Sequence, residues 1–443
     1  MCFVLGFPDE RLGRGFLASF GEPTRVDEQI AVVGGGPAGL TAALALQRLG
    51  LHPVVYDQAP AFDHVGGGIL LHSSGLRVLD ALKVLPSLRN RLRPIRRMIL
   101  EEAVPNANDT NAPAQTRPLS LLDYSDIPAP LNFGAALMRH DLQDALVEAA
   151  RTSGIPLRFH HILTHVTQTK TGVRLLFAHP DRTATEVNAA VIIGADGVHS
   201  AVRRACGLGG RETLLWPAYL RGMAPVKMDS DAIREIWGTD GRGFGILPLP
   251  QNETHFFCEA PDARQWVEIA RRPDRLHAWV ENWAVCGLDA LGVARAVPDW
   301  QTVYWSQPGL VRLPRWWTGR AFLVGDAAHA MPPNMGQGSN AAMVDALVLS
   351  RLLADAFTRG ASERAFTEAG NRFETVRRRH ITETQFAARA LSRAARQHSP
   401  VLRFLRSELL RAHARFGGPL FRRAVAITAG YNRRDEPYLA PLP

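Results

Sequence analysis

A chain of 443 residues, 46% hydrophobic and 21% charged, can bury two or three cores and has the composition of a globular protein, neither disordered nor fibrous. Its net charge of +9 is nearly all arginine, with only Lys83, Lys170 and Lys227 among 51 basic residues, and no nucleic-acid motif accompanies it, so a polyanion partner is not indicated. There is no apolar run of 18 residues and no C-x-x-C among the scattered Cys2, Cys206, Cys258 and Cys286. No spanning helix, metal site or disulfide framework is therefore expected, and a cytoplasmic location fits.

Residues 1–28 lack a basic segment leading into an apolar one, since Asp9, Glu10 and Arg11 interrupt it. They are read as an N-terminal extension without a signal peptide and as a candidate for disorder. Residues 30–33 then form a β-branched run that reads as a buried strand, followed by Gly34, Gly36 and Gly39 in the pattern G-x-G-x-x-G. Apolar residues recur at helical spacing over 40–49 and stop at Gly50, and 54–56 is a second strand closed by Asp57, eighteen positions beyond Gly39. In this β-α-β setting Gly34 makes a tight turn, Gly36 lets backbone approach a pyrophosphate and Gly39 lets helix pack on strand. The helix start offers free N–H groups and Asp57 an acceptor for a ribose hydroxyl. The motif predicts a dinucleotide site and leaves NAD and FAD open.

Gly66, Gly67 and Gly68 permit close approach to a flat ligand, and a short helix with Leu76, Leu79 and Leu82 on one face should follow. Residues 103–130, rich in Pro, Asn, Ala and Thr, read as a loop or a hairpin with a long tip. Arg139 falls on the first turn of a helix, 157–159 and 173–177 alternate like strands, and 190–203 is a buried strand leading through Asp196 and Gly197 to a helix start. All nine tryptophans lie between Trp216 and Trp317, which marks a separate β-rich domain whose rings are expected to be largely core. A strand, Asp326, prolines and the turn Gly336 to Asn340 then lead into a long helix over 341–357, and 361–430 is helical and arginine-rich, read as a solvated basic face.

Three separated motifs, GGGPAG at 34–39, GADGVHSAVR at 194–203 and GDAAHAMPPNMGQGSN at 325–340, together resemble the single-component FAD-dependent aromatic hydroxylases, the p-hydroxybenzoate hydroxylase superfamily. The stretches GGGILLHSSGLRVLD at 66–80 and LPRWWTGRAFLVGDAAH at 313–329 look like the branch with salicylate hydroxylases and 6-hydroxynicotinate monooxygenases, and the resemblance spans about residues 29–375. It implies an α/β fold: a Rossmann-like FAD-binding domain (29–98, 131–204 and 318–375) interrupted by a β-rich substrate-binding domain (99–130 and 205–317), with a helical C-terminal region (376–443).

The resemblance also implies roles. Gly34, Gly36, Pro37, Ala38 and Gly39 would hold the pyrophosphate of a tightly but non-covalently bound FAD, and Asp57 its adenosine ribose. Gly67 and Gly68 would lie beside the flavin, Arg139 would reach it from its helix, and Asp196 and Gly197 would line the cleft and influence nicotinamide use. Asp326 would take the ribityl and pyrophosphate region, and Gly336, Gln337, Gly338, Ser339 and Asn340 would abut the isoalloxazine. Asp57 is followed by Gln58 where the family often has arginine, which puts a phosphate contact from that position in doubt.

The implied activity is NAD(P)H-consuming monooxygenation, in which one atom of O2 passes through a flavin C4a-hydroperoxide into an aromatic or heteroaromatic, phenol-like molecule. Epoxidation of a natural-product alkene, or a flavin reductase or dehydrogenase without oxygen transfer, are the alternatives. The W-x-W-x-I-P signature of flavin halogenases is absent, and with a single G-x-G-x-x-G the nicotinamide is expected to bind only transiently. A monomer or homodimer without nucleic-acid or integral membrane contact is expected. Transfer of oxygen is fastest onto a phenolate, which calls for a base, and His72, four residues beyond Gly68, is the candidate, with His329 assigned to orienting its turn. Tyr219 and Arg221 are candidates for holding a substrate oxygen or carboxylate.

Overall fold

The computed structural model describes residues 29–62, 67–109, 112–127, 130–397 and 399–442, so the N-terminal extension and Gly66 lie outside it. The β-branched run forms the strand Gln29–Val33, and the glycine hinge opens the helix Pro37–Arg48. The helix begins three residues before the apolar periodicity does, since Pro37 in its first turn lacks only an N–H that has no intrahelical acceptor there. Gln29–Val33 pairs in parallel with His52–Tyr56 on one side and with Val191–Gly194 on the other. The full sheet runs Trp317–Thr318, Ala321–Leu323, Val191–Gly194, Gln29–Val33, His52–Tyr56, Leu157–Arg158. Its central strands, Gln29–Val33, Val191–Gly194 and Ala321–Leu323, are buried on both faces, which is why they read as apolar runs. The hinge helix packs against the long helix Gly338–Thr358 in this core.

The second sheet has seven strands in the order Tyr304–Ser306, Ala218–Ala224, Thr254–Ala260, Gly243–Pro248, Ala232–Trp237, Arg97–Val104, Gln115–Asp123. The Pro- and Asn-rich stretch is thus a hairpin, Arg97–Val104 against Gln115–Asp123, and its first strand starts earlier than composition suggests. Alternation splits this sheet into two faces. Leu220, Ile236, Phe244, Phe256 and Cys258 pack beneath the helices Ala263–Ala270, Pro273–Glu281 and Leu288–Arg295, where Trp266, Trp279, Trp283 and Trp300 contact one another edge to face or tilted. Trp316 and Trp317 belong instead to the core of the parallel sheet.

Three divisions drawn from the sequence do not coincide with the ends of secondary-structure elements. The divisions at 98/99, 204/205 and 375/376 fall inside single elements, Arg97–Val104, Ala201–Ala205 and Glu363–Ala395, because backbone hydrogen bonding rather than composition decides where an element ends. After Glu363–Ala395 the chain continues through the helices Pro400–Phe416 and Pro419–Thr428. Among the described residues no helix is long and apolar enough to cross a membrane. One arginine expected on a solvated face, Arg377, is fully buried: its Nε donates to Asp345 at 2.7 Å and its Nη1 to Asp435.

Candidate active site

The glycine hinge is built as its spacing requires. Gly34 has a φ of +104°, and a Cβ there would stand 2.4 Å from the Ala195 carbonyl oxygen. A Cβ on Gly39 would stand 1.9 Å from the carbonyl oxygen of Gly34. At Gly36, by contrast, a Cβ would meet nothing within 4 Å, and the cap of the helix Pro37–Arg48 carries no side-chain hydrogen bond. The helix start is therefore open, with N–H groups and the positive end of the helix dipole available to an anion. Asp57 closes the hinge itself: its Oδ2 accepts from Gly35 N at 2.6 Å and its Oδ1 from Ala59 N at 2.8 Å. Each oxygen keeps one further lone pair for a ribose.

A second helix start converges on the same place. A Cβ at Gly325 would lie 2.7 Å from the Cβ of Ala342 and 3.7 Å from that of Ala38, so the 325–326 turn sits between the two helix beginnings. Asp326 is exposed to the cavity it lines, and among the described residues its carboxylate has no hydrogen-bond partner. Burial raises its pKa, against the opposing pull of His329 and Arg139. Gly336 adopts a left-handed φ of +62° and, with Gly338 and Ser339, lines the cavity. An open glycine cradle, two helix starts and an unpartnered acceptor facing the gap between them suit a dinucleotide with a polyol chain, and so fit FAD. Arg139, first residue of the helix Arg139–Thr152, also faces this cavity.

The cavity, about 580 Å³, lies between this half and the free face of the seven-stranded sheet. One register row crosses the whole sheet: Tyr304, Arg221, Phe257, Gly245, Glu235, Leu100 and Ser120 stand opposite one another in sequence. All but Gly245 line the cavity, and no tryptophan does. Arg221 has neither hydrogen bond nor ion pair among the described residues, and burial, then Arg139, pulls its pKa down. The Tyr219 hydroxyl accepts from Asn334 Nδ2 at 3.2 Å, and burial raises its pKa. His255 donates from Nδ1 to the Gly222 carbonyl at 2.9 Å, so its Nε2 carries the lone pair, and burial followed by Arg221 lowers its pKa to about 4. Leu391, Leu410 and Phe421 from the C-terminal helices close the far wall. His255, Glu235 and these C-terminal residues were not foreseen; alternation in the HFF stretch at 255–257 was the only signal for any of them.

Several expected site residues point elsewhere. His72 is 0% exposed and does not line the cavity. Its Nε2 donates to the Met335 carbonyl at 2.9 Å, which leaves Nδ1 to accept from the Tyr124 hydroxyl at 2.6 Å. Burial pushes its pKa down to about 4, only partly offset by the Met335 contact. Both ring nitrogens are engaged by protein and the ring does not line the cavity, so His72, expected as the base, stands where it ties the start of its helix to the 333–335 turn. Asp196 accepts from Ser200 Oγ at 2.5 Å and Val202 N at 3.0 Å, which turns it toward the helix Ala201–Ala205 rather than the cleft, while Gly197 takes a φ of +76°. Gln337 donates to the Thr428 carbonyl, and Asn340 accepts from His72 N at 2.8 Å while donating to Leu70 O at 3.0 Å and Gly336 O at 2.9 Å. Both side chains brace the 336–340 turn through protein partners. The close approach at Gly67 and Gly68 is to His255, since added Cβ atoms would stand 2.5 Å from its Nδ1 and 2.7 Å from its Cβ. His329 does orient its turn, through Nε2 to Asp345 at 2.5 Å, and Asp345 also accepts from Gly325 N.

Known proteins share this architecture. Residues 27–384 match the FAD binding domain family. The 3-amino-4-hydroxybenzoate 2-monooxygenase of Streptomyces cremeus is 30% identical over 376 residues, 83% of this chain and 87% of that protein. The 6-hydroxynicotinate 3-monooxygenase of Bordetella bronchiseptica is 29% identical over 344 residues, 73% and 82% of the two chains. Among solved structures, the tetrameric form of 2-methyl-3-hydroxypyridine-5-carboxylic acid oxygenase superposes with a TM-score of 0.68 at 25% identity, over 94% of this chain and 99% of that one. Klebsiella pneumoniae HpxO, complexed with FAD and uric acid, shares the fold with a TM-score of 0.72 at 20% identity over 90% and 97%. With the hinge, the Asp326 turn and the two-sheet cavity in place, the chain belongs to the FAD binding domain family and, within it, to the FAD-dependent aromatic hydroxylases, which makes it a flavoprotein monooxygenase.

Proposed function

We propose that this monooxygenase uses NAD(P)H and O2 to hydroxylate an aromatic or heteroaromatic ring that carries a carboxylate and a phenol-like hydroxyl. The observation that carries the reading is Arg221, a guanidinium on the cavity wall that has no partner among the described residues. An unpaired buried cation costs several kcal/mol, and a ligand carboxylate removes that cost through paired N–H bonds. The relatives' names support it, since they specify an amino-hydroxybenzoate and a hydroxynicotinate.

In this reading Gly34, Gly36 and Gly39, with the N–H groups that open the helix Pro37–Arg48, would hold the FAD pyrophosphate, and Asp57 its ribose. Asp326 would accept from the ribityl hydroxyls, and Arg139, Gly336, Gly338 and Ser339 would border the ring system at the positive end of the helix Gly338–Thr358. When bound, FAD supplies the redox chemistry, taking electrons from NAD(P)H and activating O2. The chain's own residues bind, orient and exclude water. Arg221 takes the carboxylate, the Tyr219 hydroxyl donates to a substrate oxygen, the Nε2 lone pair of His255 accepts a substrate proton, and Leu100, Leu247 and Phe257 keep the ring dry. The test is a screen of hydroxylated benzoic and nicotinic acids with FAD-loaded protein, following NADH and NADPH oxidation, oxygen uptake and product mass. At least one acid should accelerate oxidation and gain one oxygen atom. Oxidation that no acid affects, or that yields only hydrogen peroxide, sinks the reading.

A further inference from the structure

The row that carries Arg221 also carries a carboxylate. Arg221, Phe257, Gly245 and Glu235 are successive register partners, so the side chains stand on one face with Arg221 and Glu235 three strand spacings apart, about 14 Å. Gly245 has no side chain, and a Cβ there would fall 1.9 Å from Phe257 Cζ. The Phe257 ring therefore leans over Gly245 and floors the space between the cation and the acid. Two side chains reaching inward and one substituted aromatic ring lying along the row fill that span.

Glu235 is incompletely satisfied. Its Oε1 accepts from Trp237 Nε1 at 3.0 Å, and its Oε2 has no partner among the described residues. The strand does neutralise charge where it can: Arg234, on the opposite face, pairs with Glu101 at 2.6 Å and with Asp289. Among the described residues no cation pairs with Glu235, and burial raises the pKa of both Glu235 and Glu259 to about 7. A free acceptor in an apolar cavity stays costly until a ligand donor meets it.

We infer that Glu235 recognises an N–H donor on the aromatic acid held by Arg221, so that the substrate class is an amino-substituted or ring-nitrogen aromatic acid. The inference rests on the aromatic-acid reading above and narrows it. Ionised, Glu235 only accepts, so it favours an N–H and gives nothing to a bare C–H at the same ring position.

The test measures binding of 4-hydroxybenzoate, 3-amino-4-hydroxybenzoate and 6-hydroxynicotinate to FAD-loaded protein through the change in flavin absorbance. The wild-type protein should bind at least one of the two nitrogen-bearing acids about tenfold or more tighter than 4-hydroxybenzoate, as a hydrogen bond to a charged group allows. Glu235→Gln should lose most of that preference while keeping FAD content, melting temperature and affinity for 4-hydroxybenzoate. If Glu235→Gln fails to retain FAD, Glu235→Asp, which keeps the charge on a shorter arm, carries the same comparison and should show a reduced preference. Equal binding of all three acids by the wild-type protein, or an unchanged preference in the variant that retains FAD, overturns the inference and leaves the aromatic-acid reading standing. If none of the three acids binds, both fall.

Discussion

Replacing His72 by alanine separates a structural histidine from a catalytic one. The ring donates to the Met335 carbonyl and accepts from Tyr124, both in a space closed to solvent. Its removal orphans two buried polar groups, each worth about 1–3 kcal/mol, so the variant should lose about 2–6 kcal/mol of stability. Tyr124→Phe orphans Nδ1 alone and should cost about 1–3 kcal/mol, and because the two share a bond the double variant should cost less than the sum. Urea unfolding of FAD-loaded protein, followed by flavin and tryptophan fluorescence, measures all three. The linkage to pH follows from a folded pKa of about 4 below an unfolded value of 6.5. Between those values the unfolded chain binds the extra proton, so stability falls as pH drops from about 6.5 to about 4, by about 3 kcal/mol, and is flat above. His255, at about 4, and His380, at about 3, add to the same acid slope, and the His72 variant should lose only its own share. Turnover across neutral pH should keep its profile. A His72→Ala enzyme as stable as the wild type, with full FAD affinity but hydroxylation down by about 10²-fold and a flattened pH profile, would refute this account and restore His72 as the base.

Asp326→Ala removes the free acceptor at the meeting of the two helix starts; titration of apoprotein with FAD should show affinity lower by about tenfold or more, and unchanged affinity contradicts its placement. Arg221→Met should raise the dissociation constant for an aromatic acid by about 10- to 100-fold with FAD content intact, while equal binding of the acid by both proteins removes the carboxylate anchor. Gly39→Ala puts a methyl 1.9 Å from the Gly34 carbonyl oxygen, so the hinge must open and the protein should purify with little FAD; a fully yellow variant shows that the turn can yield.

What could be read from the sequence was whatever local chemistry decides. The order of Gly34, Gly36 and Gly39 between two apolar runs dictates a turn, a helix start and a strand pair, since no side chain tolerates the approaches at Gly34 and Gly39, and the structure builds them there. The buried parallel strands, the first-turn position of Arg139 and the turn at Gly336 were legible for the same reason. Directions of side chains were not. His72 lies beside the 333–335 turn, yet it faces Tyr124, 52 residues away, and packing of the hairpin against that helix seals it. Asp196, Gln337 and Asn340 turn their polar atoms toward protein partners, because buried polar groups must be satisfied; Asp196 finds its donors in the turn that follows it, whereas Gln337 and Asn340 find theirs in distant segments. Glu235 and Arg221 are fourteen residues apart with nothing in the intervening sequence to relate them; strand register places them on one wall of one cavity. The sequence by itself determined the flavin-binding frame, because hinge, helix start and strand are local. The tertiary structure decided which side chains face the cavity, because strand pairing and packing between segments far apart in the chain set where each one points.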